Sequence, residues 1–142
     1  MRDPNCVFCK IIAGEITSKK VYEDEAFLAF LDINPANVGH TLIIPKNHHP
    51  TIISIPEDDV FGLFKVVKRL AASMRESMNA DGLNVLQSNG TIAGQLIPHL
   101  HVHLIPRFNG DGIAFGWPKK QASEEEMESV RKKLSEKMGY RG

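Results

Sequence analysis

Three histidines, His99, His101 and His103, alternate with the aliphatic residues Leu100, Val102 and Leu104 between Pro98 and Ile105. On an extended strand this alternation sends the three imidazoles to one face, successive rings roughly 6.6 Å apart, and the aliphatic side chains to the other. With six histidines in 142 residues, random placement would produce such a run with a probability of roughly 0.01. Core packing is a poor account, because three polar rings side by side would each need a buried partner. A triad given over to metal is also disfavoured, since this strand brings no carboxylate with it. What remains is the chemistry of imidazole near neutrality, a nucleophile when neutral and a charge stabiliser when protonated. Upstream, the loop from Asn89 to Gln95 carries Gly90 and Gly94, which permit backbone N–H groups to converge on an anion. The combination predicts a phosphate held over the histidine face.

Cys6 and Cys9, the only cysteines, are spaced C-x-x-C. In a reducing compartment such a pair reads as a metal or redox site rather than a structural disulfide. No βαβ pattern surrounds it, which argues against a thioredoxin-type role. A tetrahedral zinc site needs two more ligands, and His40, His48, His49 and His99 are all candidates. The residues alone leave that choice open. Where they are not ligands, His40 and His49 are most simply surface or hydrogen-bonding residues.

These side chains must be positioned by a framework, and the hydrophobic pattern supplies one. Lys20–Tyr22, Ala26–Leu31 and Thr41–Ile44 read as three strands of an antiparallel meander. Apolar residues at Val60, Phe61, Phe64, Val67, Leu70, Ala71, Met74 and Met78 fall at helical spacing and predict one long amphipathic helix from Glu57 to Met78. Pro56 and the acidic Glu57, Asp58 and Asp59 suit its first turn, whereas Gly62 weakens it. Leu83–Gln87 and a stretch through His101 to Pro106 read as two further strands. Ser123 followed by Glu124, Glu125 and Glu126 has a capping-box pattern opening a C-terminal helix that stops at Gly139. The class is therefore α+β: a five-stranded antiparallel sheet with one long central helix and a C-terminal helix, the helices lying on one face.

Composition sets the outer bounds. At 142 residues with 42% hydrophobic and 24% charged residues, the chain reads as one globular domain, 1–142. Seventeen basic and seventeen acidic residues cancel, so no nucleic-acid polymer and no anionic membrane surface is expected as a partner. The first residues lack the apolar core of a signal peptide, and no apolar run reaches the ~18 residues of a membrane span. A cytoplasmic location is expected.

The stretch from Gly94 to Arg107, GQLIPHLHVHLIPR, resembles the signature of the histidine-triad (HIT) family. Cys6–Ile16, Phe30–Ile33 and Gly39–Lys46 are similar, in order and spacing, to the family's Hint-type branch. The resemblance implies a HIT-like fold and a zinc-binding C-x-x-C completed by His48 and His99, the metal being structural. It implies that His101 attacks the α-phosphorus of a nucleotide and forms a nucleotidyl-histidine that water then hydrolyses. Gln95 and His103 would contact the non-bridging oxygens. Asp32 would accept both ribose hydroxyls, with a turn-capping aspartate as the plain alternative. Phe8, Ile11, Phe30 and Ile33 would form the slot for the base, with Asn89 and Gly94 also at the nucleotide. Substrates would be purine nucleoside phosphoramidates or related AMP and GMP conjugates. The competing readings are a dinucleoside polyphosphate hydrolase and a nucleotide-binding interaction protein with little turnover. A homodimer is implied as well. Two positions depart from the pattern: Leu96 stands where many Hint-type members carry a small hydroxyl residue, and Ser88 where relatives often place an amide.

Overall fold

The computed structural model describes residues 1–142. Helix α1 spans Val7–Ile12 and is followed by strands β1 (Lys20–Glu23), β2 (Phe27–Leu31) and β3 (Thr41–Pro45), helix α2 (Glu57–Met78), and β4 (Gly82–Leu86). A single 3-10 turn at Thr91–Ala93 then leads to β5 (Val102–Arg107) and the C-terminal helix α3 (Glu124–Met138). The five strands form one antiparallel sheet in the order β1-β2-β3-β5-β4. No helix is long and apolar enough to cross a membrane.

Local signals account for the helix limits. Pro56 caps α2 from an extended conformation, three acidic residues fill its first turn, and Asn79 ends it with a left-handed φ of 51°, the conformation that closes helix C-termini. In α3 the Ser123 hydroxyl accepts from Glu126 N–H while the Glu126 carboxylate accepts from Ser123 N–H, and Gly139 terminates the helix at φ 70°. Gly62, which weakens α2 as a helix former, is there for packing. A Cβ at that position would lie 2.7 Å from the Phe27 ring, so its absence lets α2 approach β2.

The sheet is covered on both faces, which corrects the expectation of helices on one face. Phe27, Ala29, Ile43, Val102 and Leu104 pack against Leu63, Val66, Val67 and Met74 of α2. The alternate residues Leu28, Phe30, Leu42 and Ile44 pack against Phe8, Ile11 and Ile12 of α1. The six-residue α1 is too short for a helical period to stand out in the sequence, and its Cys6 cap accepts from the Cys9 N–H through sulfur at 3.5 Å. Helix α3 buries no residue.

Candidate active site and metal centre

The triad side chains face the α1 side of the sheet, opposite Leu100, Val102 and Leu104. Only His103 lies within β5; His101 immediately precedes the strand, and His99 sits in the bend before it, its N–H donating to the Ile97 carbonyl. The rings converge rather than standing apart at the strand repeat, with the His101 and His103 centroids 4.8 Å apart. His99 and His101 have their proton positions set by carbonyl partners that can only accept. His99 Nε2–H donates to the Pro45 carbonyl at 2.8 Å, which leaves Nδ1 as a lone pair. His101 Nδ1–H donates to the His99 carbonyl at 2.7 Å, which leaves Nε2 as the free base.

His103 is set by a residue the sequence did not single out for this role. The Ala36 N–H donates to His40 Nδ1 at 3.0 Å, so His40 carries its proton on Nε2. That proton bridges the 2.9 Å to His103 Nδ1, and His103 therefore presents Nε2–H. His40 is buried, so the expectation of a hydrogen-bonding residue fits and that of a surface residue does not. The atoms of Asp32, His40 and His103 lie close enough to hold a cation, but the proton on His40 Nε2 occupies the lone pair a metal would need.

Burial weakens the basicity of the whole cluster. Desolvation pushes the His101 imidazole below its ordinary value, against its hydrogen bond to the His99 carbonyl, which favours charge. Desolvation, with the neighbouring His101 and His40, pushes His103 down to about 4. Both rings are therefore neutral at pH 7, the state that a nucleophile and a single N–H donor require.

A cavity of about 450 Å³ opens beside these rings, within the range of ordinary ligand sites. Phe8, Ile11, Phe30, Asp32, Ile33, Gly94, His101 and His103 all line it. Phe8, Ile11 and Phe30 are buried in its wall, whereas Ile33 is 91% exposed at the rim. Asp32 does two things: one carboxylate oxygen accepts the Asn34 N–H at 2.8 Å, as a turn cap does, and the other lies 3.7 Å from His40 Nε2. Val7, Ile16, Leu31, Leu42, Leu96 and Ile97 complete the apolar wall, and Thr17, Ser18 and Asn34 also line the cavity; apart from Leu96 these were missed because such residues carry no chemical signal in sequence.

Two expected residues are turned away from the cavity. Gln95 is buried, with its Nε2 donating to the Pro50 and Ile97 carbonyls and its Oε1 accepting from Gly90 N–H. Its side chain holds the loop rather than offering a free amide to a phosphate. Asn89 likewise accepts from Ile52 N–H and exchanges side-chain hydrogen bonds with Gln87. The expected cradle of backbone N–H groups is also turned inward, since those of Ala93, Gly94 and Gln95 donate to the carbonyls of Gly90 and Thr91. The Leu96 N–H, in contrast, is engaged by no group of the chain.

Cys6, Cys9, His48 and His99 meet on the far side of His101, their ligand atoms all within 4.8 Å of one another. Cys6 Sγ and Cys9 Sγ lie 3.4 and 3.6 Å from His99 Nδ1, Cys9 Sγ lies 3.5 Å from His48 Nδ1, and the two Nδ1 atoms are 3.2 Å apart. A tetrahedral zinc with ordinary bond lengths has N···N edges of about 3.3 Å and S···N edges of about 3.6 Å. The donor set therefore fits zinc in both chemistry and size. His40 and His49 take no part in it.

A family model described as the HIT domain matches residues 13–110. The chain belongs to the HIT family. Among relatives, the adenosine 5'-monophosphoramidase HNT1 of Saccharomyces cerevisiae is 42% identical over 137 residues, covering 96% of this chain and 84% of that protein. A HIT-family crystal structure from Bacillus subtilis superimposes with a TM-score of 0.87 at 40% identity, covering 93% of this chain and 96% of the other. A zinc-bound histidine triad protein from Mycobacterium smegmatis gives a TM-score of 0.74 at 38% identity over 95% and 96% of the two chains. This HIT protein thus shares its fold with structures resolved by experiment, and its four-ligand cluster is positioned to hold a metal.

Proposed function

We propose that this HIT protein is a nucleotide hydrolase that cleaves purine nucleoside phosphoramidates at the α-phosphorus through a nucleotidyl-His101 intermediate. The observation that carries the reading is the His101 Nδ1–H bond to the His99 carbonyl, which leaves Nε2 unprotonated on a ring lining the cavity. The base sits between Phe8, Ile11 and Phe30, and Asp32 takes the ribose hydroxyls. His101 Nε2 then attacks phosphorus in line, the P–N bond breaks, and the nitrogen leaves as the amine with a proton from solvent, which the water that later attacks phosphorus gives back. His103 Nε2–H and the Leu96 N–H stabilise the non-bridging oxygens as charge gathers there. Water attacks the phosphorus in turn and returns His101 to its neutral form. The likeness to a relative named as an adenosine monophosphoramidase supports this substrate class. Cys6, Cys9, His48 and His99 would hold zinc as a structural tie, fixing His99, whose backbone carbonyl orients His101.

Alkaline quenching during turnover of adenosine 5'-phosphoramidate, followed by peptide mass analysis at non-acidic pH, is expected to find the adenylyl group on His101, and His101→Ala is expected to abolish turnover. Unmodified His101 with undiminished conversion overturns the mechanism. The free edge of β4 and the exposed Phe61, Phe64 and Val85 support a homodimer; a compact monomer in sedimentation at micromolar concentration rules it out. The reduced cysteine pair suits a cytoplasmic location.

A further inference from the structure

We infer that helix α3 is a self-association surface, which pairs antiparallel with the α3 of a second copy of this chain. The surface is separate from the β4 edge, lies outside the residues matched by the HIT family model, and does not depend on the enzymatic reading. Its apolar residues carry the first argument. Met127, Val130, Leu134 and Met138 follow one another at helical spacing, so they form one stripe along a single face. All four are 50 to 83% exposed, and α3 buries no residue at all.

Nothing else in the chain supports this helix. The hydrogen bonds and the ion pair that its residues make all stay within the helix and its caps. The last ties to the body lie earlier, where Arg107 donates to the Asp111 carboxylate and the Ile113 carbonyl, and residues 114–122 make no hydrogen bond. Yet α3 is defined at both ends, by the Ser123–Glu126 capping box and the Gly139 stop. A helix of 15 residues is at the margin of stability in water by itself. Caps do not account for four large apolar side chains on one face; a partner that covers them does.

Charge identifies the partner. Before Val130 the charged residues of α3 are Glu124, Glu125, Glu126 and Glu128; after it Arg131, Lys132, Lys133 and Lys137 outnumber the single Glu136. An interface between identical copies related by a two-fold is self-complementary, each residue meeting on the partner the one that meets it in return. Antiparallel pairing about a two-fold near Val130 sets the acidic half of each helix against the basic half of the other, with Met127 facing the partner's Leu134. Glu126 then lies beside the partner's Lys133 and Lys137, and Glu128 beside the partner's Arg131. A parallel pair would stack Glu on Glu and Lys on Lys, which repel. The helix dipole also favours acid first and base last, but it acts within the first and last turns and has no use for an apolar stripe. The Arg131–Glu128 pair inside the helix is exposed and holds those side chains only weakly.

Added cysteines in the full chain read the geometry directly, because Cys6 and Cys9 are buried. Val130→Cys lies where two copies meet at the two-fold, and Lys132→Cys lies on the opposite face of the same helix. Under diamide, Val130→Cys is expected to form a covalent dimer at least about 10-fold faster than Lys132→Cys, since pairing raises the local thiol concentration. Peptide mass analysis is expected to place the disulfide between the two copies of position 130. Equal rates at the two positions, or no cross-link, overturn the inference, as does survival of the Val130→Cys cross-link when Leu134→Asp is added. Charge is tested in the same background: Glu126→Lys with Glu128→Lys makes one helix basic beside the stripe, and Arg131→Glu with Lys133→Glu makes another acidic. Each alone is expected to cross-link at least about 10-fold more slowly than the two mixed. Either variant alone matching the mixture overturns the antiparallel pair and assigns the stripe to another surface of the partner.

Discussion

At the scale of single residues, the site is organised by the direction of hydrogen bonds rather than by charge. The Ala36 N–H fixes His40, and His40 fixes His103, so that a backbone amide four residues upstream of one histidine sets the proton on another. Replacing His40 with Ala is expected to lower kcat roughly 10- to 100-fold, in the range of losses at residues that orient a reacting group. AMP affinity should change little, and the 15N signature of His103 should show mixed tautomers. Unaltered kcat with an unaltered tautomer would contradict the relay. Acid dependence follows from burial. Because burial holds the native His101 imidazole below the ordinary histidine value, it stays neutral through that value, and the proposed nucleophile would be lost only at lower pH. The acid limb of kcat/KM is therefore expected below about 6.5; a limb centred at or above that value would show that His101 is not held neutral.

At the scale of elements, α2 illustrates two opposing preferences with comparable magnitudes. Alanine at Gly62 gains about 1 kcal/mol of helix propensity. Its Cβ, however, would sit 2.7 to 2.8 Å from the ring of Phe27, a residue 8% exposed inside the packed core, and overpacking of this kind costs about 1–3 kcal/mol. Gly62→Ala is expected to destabilise the protein by about 1 kcal/mol in a denaturant titration, and a gain in stability would show that Phe27 can yield. The elements also differ in how plainly the sequence announces them. The limits of α2 and α3 coincide with the expected Glu57–Met78 and Ser123-capped spans, because Pro56, the acidic first turns, the capping box and Gly139 act within one helical turn. Helix α1 was not expected as a helix, since six residues around two cysteines carry no periodic stripe; it is held in place by packing on β2 and β3.

At the scale of the molecule, the four-ligand cluster and the cavity share one wall. Phe8, between the two cysteines, meets His99, His101 and Phe30 edge-on at centroid distances of 5.8, 5.2 and 5.5 Å. The four ligands come from α1, the segment after β3 and the approach to β5, so a bound zinc ties together three stretches distant in the chain. Its removal is expected to lower Tm by roughly 5–10 °C, given a linkage of about 3 kcal/mol for metal well above its Kd. Cys9→Ser is expected to abolish the difference between metal-loaded and chelated protein in a thermal melt. An unchanged Tm after measured loss of zinc would show that the cluster is not a structural tie.

Read by itself, the chain determined what depends on neighbours along it: the strands and the two long helices, the alternation that puts three imidazoles on one face, and the Cys6–Cys9 pair. Tertiary structure decided what depends on partners far away in sequence. His40 reaches His103 across 63 positions, Gln95 reaches the Pro50 carbonyl across 45, and His99 reaches that of Pro45 across 54. The reason is that a residue's type declares which bonds it can make, whereas which of them it does make is set by the groups that folding brings to it. Gln95 and Asn89 carry amides suited to a phosphate, and here the fold directs both into the loop that frames the cavity.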